Sequence, residues 1–309
     1  MKVSTEWLKE LVELNQPIEE LAESLSIAGF EVEGIADLSK RAEGVVVGFV
    51  DSVDPHPNSE KLKVCRVNIG LSEHLQIVCG ASNVRKATHV LVAKIGASLS
   101  SVQLNIKPTE IRGVASYGMI CSLAELGFDV KSDGIFILDD NYKNFPAIGK
   151  TVIDFLGLND LIVELAITAN RPDGMSMVGI SREIAALTNS KLDLPIIKQE
   201  VPYECFESKK NDKILSSLDI YSLVHIDSVD GNVASPNWIS KRLANLGIKT
   251  INAIVDITNY LMFEQGQPLH AFDGDKLQKL IGKSVSQQDF GLREANEGEE
   301  FLALDKKKY

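Results

Sequence analysis

The stretch HPNSEKLKVCRVNIG, His56 to Gly70, followed by QIVCGASN, Gln76 to Asn83, decides how the rest of the chain reads. Residue character alternates along Lys61–Val67 as in a half-buried strand. The alternation assigns Leu62, Val64 and the Val67 end to a core, and Lys61 and Lys63 to the outside. A turn at Gly70 leads into a second half-buried strand over His74 to Cys79. Farther on, GVASYGMICS, Gly113 to Ser122, continues the pattern of short strands punctuated by glycine. Such strands close into small barrels, and basic residues on one face suit single-stranded or looped nucleic acid.

The 309 residues imply about two domains and a sizeable core. With 44% hydrophobic and 24% charged residues, the composition is that of a globular protein. No apolar run is long enough for a membrane span. The start, MKVSTEWLKELVEL, is amphipathic and carries acids, unlike a signal peptide. Cys65, Cys79, Cys121 and Cys205 are widely spaced, which fits reduced, mostly buried thiols and a cytoplasmic protein. A net charge of -11 argues against indiscriminate binding to nucleic acid. That charge is uneven: residues 40–150 hold 13 basic and 11 acidic residues, against 19 and 32 elsewhere. The barrel region is thus the least acidic part, which agrees with an RNA contact there.

Ser4 can cap a first helix reaching about Leu14, and Pro17 opens a second that ends at Gly29. Ile18, Leu21, Leu25 and Ile27 form the expected buried stripe of that second helix. A strand with Phe30, Val32 and Ile35 largely on one face follows. These 39 residues are too few for a core of their own. Beyond Lys150, a buried strand holds Ile162, Val163, Leu165 and Ile167. Next comes a helix from about Met175 to Leu187, capped by Asp173, with a stripe of Met177, Ile180, Ile184 and Leu187. Residues 1–39 and 151–195 are therefore expected to pack as one split α+β domain, with the barrel of 40–150 inserted between them. Residues 191–212 read as a linker, and a third domain is expected over 213–309. The fold class is α+β and multidomain.

In INAIVDITNYLMFEQGQPLHAFD, Ile251 to Asp273, the polar residues Asn252, Asp256, Thr258 and Asn259 interrupt an apolar helical run. Burying such groups unpaired costs about 1–3 kcal/mol each, so structure or a ligand must satisfy them. Pro268 stiffens the approach to His270. The residues alone leave two readings open: a binding site, or a capped helix followed by a turn and a core histidine. His56, Cys65, His74 and Cys79 have no compact zinc-knuckle spacing. Gly113 to Gly118 has phosphate-loop spacing, but Met119 stands where the lysine should be, so a nucleotide loop is rejected. Trp7 and Trp238 read as helix-packing residues.

The three barrel stretches, in their order, resemble the tRNA-binding oligonucleotide-fold module appended to several aminoacyl-tRNA synthetases, with Ser59-Glu60 where Ala-Asp is usual. TANRPDGMSMVGISREIAAL, Thr168 to Leu187, and VDITNYLMFEQGQPLHAFD, Val255 to Asp273, resemble the β subunit of bacterial phenylalanyl-tRNA synthetases over the whole chain. The resemblance implies an α2β2 heterotetramer. Its α subunit makes phenylalanyl-adenylate with ATP and Mg2+, and its β subunit binds tRNA and hydrolyses mischarged tyrosyl-tRNA. It places editing roles on Thr258, Asn259 and His270, with Pro268 and Ala271 as pocket wall. His270 would orient water or the terminal ribose. Phenylalanine and tyrosine differ by one hydroxyl. A second site can hydrogen-bond that hydroxyl and spare the product lacking it. Tyrosyl-ester hydrolysis then needs a positioned water and donors for the developing oxyanion.

For tRNA, the residues expected at the surface are Lys61, Lys63, Arg66, Asn83, Lys86 and Ser116, although the same residues could form a merely solvated face. The family continues for several hundred residues past the position of Tyr309, including the acidic part of the editing pocket. The chain is thus expected to be an amino-terminal, engineered fragment, inactive alone, with no metal or cofactor of its own. A free-standing tRNA-binding protein and an autonomous deacylase are the alternatives. The GQPLHAFD segment and the flanking split domain speak against the first, and the absent acidic residue against the second.

Overall fold

The computed structural model describes residues 1–129, 134–195, 224–286, 289–290, 295–303 and 306–309, and the backbone of 206–207 and 222–223. Cys205 and most of the expected linker lie outside the described residues. In chain order the amino-terminal elements are β1 (Lys2–Ser4), α1 (Thr5–Leu8), α2 (Ile18–Ile27) and β2 (Glu31–Asp37). There follow β3 (Glu43–His56), β4 (Ser59–Asn68), β5 (Leu75–Cys79), β6 (Thr88–Leu99) and β7 (Leu104–Asn105), then β8 (Thr109–Ile111), β9 (Val114–Ser116) and β10 (Met119–Ile120). The remainder comprises α3 (Ile153–Leu156), β11 (Leu161–Ala166), α4 (Met177–Thr188), α5 (Asn237–Asn245), α6 (Ala253–Gln265) and α7 (Gly274–Ile281).

β1 and β2 flank β11 in an antiparallel three-stranded sheet of order β1-β11-β2. Chain segments on either side of residues 40–150 thus share one sheet. α1 is shorter than the sequence suggests. Ser4 caps it, accepting from Trp7 N–H at 3.1 Å, but the helix ends at Leu8. Leu11 and Val12 instead join an antiparallel bridge to Leu192, with Asp193 N–H donating to Leu11 O at 2.8 Å. Tertiary pairing overrides helical periodicity there, and it makes 191–195 part of the packed structure rather than linker.

The ends of both expected helical stripes are exposed: Ile27 at 82% and Leu187 at 43% lie at the last turns of α2 and α4. Ile35, expected on a buried face of β2, is 39% exposed at the sheet's edge. The cap of α4 is Ser176, whose hydroxyl accepts from Gly179 N–H at 2.9 Å. Asp173, the expected cap, sits one turn too early and accepts from the Arg171 guanidinium instead. Those bonds, with Glu183, raise the pKa of Arg171 and keep it charged.

β10-β6-β3-β4-β5 form a second sheet, with β7 beside β6. GVVVGFV in β3 is apolar without alternation because both faces are covered. Val46 and Val50 join a core with Cys65, Val67, Ile77 and Ile120. Val45 and Val47 face the other way into the large core that holds Trp7, Phe30, Leu165 and Ile180. Gly48 permits this crossing, since a Cβ there would stand 2.5 Å from Val92 Cγ2. Val67 of β4 is buried as expected, but the face assigned to Leu62 and Val64 is opposite to the sequence expectation. Cys65 and Val67 are fully buried, whereas Leu62 and Val64 are half-buried on the other face. A strand's period is two, so a shift of one residue exchanges its faces.

The residues divide into two compact units, Met1–Pro195 with Asn232–Leu269, and Ile196–Gly231 with His270–Tyr309. α5 and α6, expected in a third domain, pack within the first. Tyr260 stacks on Trp7 at 4.7 Å between centroids, Lys241 Nζ donates to Phe155 O, and Asn245 Nδ2 donates to Gly157 O. Burying two large rings against the amino-terminal core outweighs sequence proximity to the later residues. Trp7 is 1% exposed, but Trp238 is half exposed, edge-on to Tyr260. Among the described residues no helix is long and apolar enough to cross a membrane.

Candidate functional site

Lys61, Arg66 and Lys86 are exposed, and their side chains make no hydrogen bond or ion pair among the described residues. The other three residues expected at an RNA surface are engaged by the fold. Ser116 is 2% exposed; its hydroxyl accepts from Val78 N–H at 3.0 Å and donates to Gly118 O at 3.2 Å. This overturns its assignment as a surface contact: the hydroxyl substitutes for a missing backbone partner between β5 and β9. Asn83 is exposed, yet its amide closes a two-way clamp on Ile135, donating to its carbonyl at 2.8 Å and accepting from its N–H at 3.0 Å. Lys63 lies on the core-facing side of β4, opposite Cys79, and its ammonium reaches the carbonyls of Ser82 and Val84 at 3.3 and 3.1 Å.

Beside it the Cys65 thiol is pushed up to about 12, by burial first and then by the neighbouring Cys79, with Lys63 opposing. Burial likewise raises Cys79, and raises Cys121 to about 12. These are protonated packing thiols at neutral pH. Among the described residues no three His, Cys, Asp or Glu side chains are grouped to hold a metal ion.

The sequence reading passed over the turn at Arg112-Gly113. Ile111 and Val114 flank a two-residue loop there, a hairpin signal legible in IRGV. His56, 4% exposed, faces that turn through Nε2 and Ile111 O at 3.0 Å.

The polar residues of α6 are mostly satisfied close by. Asn252 caps the helix, accepting from Val255 N–H at 3.0 Å. Buried Asp256 accepts from the Ser235 hydroxyl and from Ile251 N–H at 2.9 Å. The Thr258 hydroxyl donates to Val255 O at 2.7 Å, and half-buried Asn259 makes no side-chain hydrogen bond among the described residues. Burial and the Glu264 hydrogen bond raise the Tyr260 pKa, so its hydroxyl stays a donor, 2.6 Å from Glu264. Thr258, Asn259 and Pro268 belong to the first compact unit, and His270 and Ala271 to the second. Pro268, His270 and Ala271 are exposed, so His270 is not a core histidine; its ring meets Phe272 edge-on at 4.6 Å.

A cleft of about 310 Å³ lies where the start of α4 meets the end of α6, lined by Asp173, Ser176, Arg182, Glu183 and Gln265. It joins the two segments TANRPDGMS and EQG but contains none of the residues expected to edit. A groove of about 560 Å³ runs along the β3–β4 hairpin past His56, Leu62 and Lys63.

Family comparison places a match to "Putative tRNA binding domain" at residues 45–144 and to "B3/4 domain" at 218–309. A protein of Prochlorococcus marinus (strain NATL2A) named phenylalanine–tRNA ligase beta subunit is 56% identical over 100% of this chain and 38% of its own length. One of the same name from Parasynechococcus marenigrum (strain WH8102) is 54% identical over 99% of this chain and 38% of its own. The chain thus spans about 38% of the length of these curated relatives. Among solved structures, the C-terminal domain of Plasmodium vivax p43 covers 36% of this chain and 59% of its own, at 21% identity and a TM-score of 0.27, too slight a likeness to carry an argument.

Proposed function

We propose, for a chain that belongs to the phenylalanine–tRNA ligase beta-subunit family, that it supplies tRNA binding and part of an editing site to a ligase whose aminoacylating centre is on a separate α subunit. The observation that carries this reading is the alignment of the entire chain with beta subunits at 56% identity. Residues 40–150 are read as an inserted oligonucleotide-fold barrel. In support, Tyr117 N–H donates to Gln76 O at 2.8 Å, which draws the β9–β10 edge onto the β5 edge. Residues 1–39 with 151–195 are read as the split domain carrying it, joined through β1, β11 and β2. Lys61, Arg66 and Lys86 are read as the tRNA-facing cations, in support of which they are exposed and without a partner among the described residues.

The editing role of His270, Thr258 and Asn259 rests on the sequence match. His270 would orient a water or the terminal ribose for hydrolysis of the ester. ATP and Mg2+ belong to the α subunit in an α2β2 assembly in the cytoplasm.

The test uses the complete beta subunit paired with α. His270→Ala should slow hydrolysis of tyrosyl-tRNA about 100-fold and leave phenylalanine charging and the melting temperature unchanged. Normal editing by that variant, or charging that fails while editing survives, overturns the assignment.

A further inference from the structure

β8 and β9 are joined by Arg112 and Gly113, with φ of 49° and 84°. Two successive left-handed residues make the primed turn that suits hairpin twist, and its usual occupants are Asn and Gly. An arginine there is strained by its own Cβ, and observed strain of this kind gathers at functional positions.

The turn is also held from outside by the β3–β4 hairpin. Asn58 N–H donates to His56 Nδ1 at 3.0 Å, so the ring proton sits on Nε2 and is donated to Ile111 O at 3.0 Å. Asn58 Nδ2 donates to Arg112 O at 2.8 Å. The carbonyls on both sides of the Arg112 Cα are thereby pinned. The guanidinium itself is exposed and forms no hydrogen bond or ion pair among the described residues. Two polar side chains thus hold its backbone, and none neutralises its charge. Lys61, exposed and without a partner among the described residues, lies three residues beyond Asn58 of the same clamp.

We infer that Arg112, held by His56 and Asn58 on a strained turn, contacts a phosphodiester of the bound RNA. The inference rests on the reading of residues 40–150 as an RNA-binding module. A planar guanidinium donates two parallel hydrogen bonds to a phosphate, and a backbone fixed in advance lowers the entropy lost on binding.

The experiment measures binding of labelled tRNA to the 309-residue chain between 50 and 200 mM salt. Arg112→Asn, a residue suited to this backbone, should keep or raise the melting temperature while affinity falls about tenfold at low salt. The slope of log affinity against log salt should shrink by about 0.7–0.9, the share of one phosphate. Arg112→Gly, equally free of strain, should show the same loss. Arg112→Lys should retain the slope and lose only the bidentate share of affinity. Comparison with the triple variant Lys61→Ala, Arg66→Ala, Lys86→Ala separates two failures. If the triple variant flattens the slope while Arg112→Asn and Arg112→Gly change neither slope nor affinity, this inference alone falls. If the unaltered chain binds tRNA without salt dependence or not at all, the RNA reading falls, and this inference with it.

Discussion

The strand-rich region over 43–120 and the helix α6 dispose of their polar residues in opposite ways. In the strand-rich region several polar side chains are spent on backbone far away in sequence: Ser116 on Val78, Asn83 on Ile135, His56 on Ile111. In α6 they are spent close by: Asn252 on Val255, and Thr258 on Val255. A helix offers a polar side chain its own backbone within a turn, whereas a strand's backbone is already committed to its neighbours. A polar residue in a barrel motif is therefore as apt to be a strut as a ligand contact. The informative residues are those left exposed without a partner, such as Lys61, Arg66 and Arg112.

The Tyr260 ring on Trp7 is a distant anchor of α6, and removing it breaks the contrast most severely. Trp7→Ala should cost about 3–5 kcal/mol, read as loss of the urea midpoint. Arg242, 5.2 Å from the Trp7 ring and hydrogen-bonded to the Tyr260 hydroxyl, would lose its seat as well. A variant as stable as the parent would mean that α6 is held by its own local bonds.

Paired substitutions sharpen the contrast between distant and local hydrogen bonds. Ser116→Ala strands the buried Val78 N–H and should cost about 1–3 kcal/mol without altering the salt slope of tRNA binding. Thr258→Ala removes a bond within one helical turn and gains the helix propensity of alanine, so its cost should stay below about 0.5 kcal/mol. Equal costs for the two in chemical denaturation would dissolve the distinction.

A small, pH-dependent effect is expected at Asp139, which ties the segment after the strands to His89. Burial pushes this carboxyl up, but the His89 N–H and ring, the latter at 3.0 Å, outweigh burial and hold it below the ordinary carboxylate range. A depressed folded pKa gives stability that is present above the unfolded value of about 3.9 and is lost as pH falls through the folded value. The stability difference between the parent and Asp139→Asn should therefore shrink as pH falls below about 4. It should stay under about 1 kcal/mol throughout, since the pair is partly solvated. A difference that grows with acid would reverse the sign of this contribution.

Much of the molecule was legible from residue order alone. The Ser4 cap, the second helix starting after Pro17, the Gly70 turn and the strand at Leu161–Ala166 follow from capping, turn chemistry and apolar patterning. All of these depend on neighbours within a few positions. The face of β4 that meets the core, the burial of Ser116 and the early end of α1 were decided by tertiary structure. So were the seating of α5 and α6 on the amino-terminal core and the clamp that presents Arg112. Alternation sets a strand's period but not its phase, and phase depends on what covers each face. Likewise a hydroxyl, an amide or a guanidinium has the same letter whether it holds a distant carbonyl or waits for a phosphate. Only the folded chain brings that distant carbonyl near or leaves the group in water.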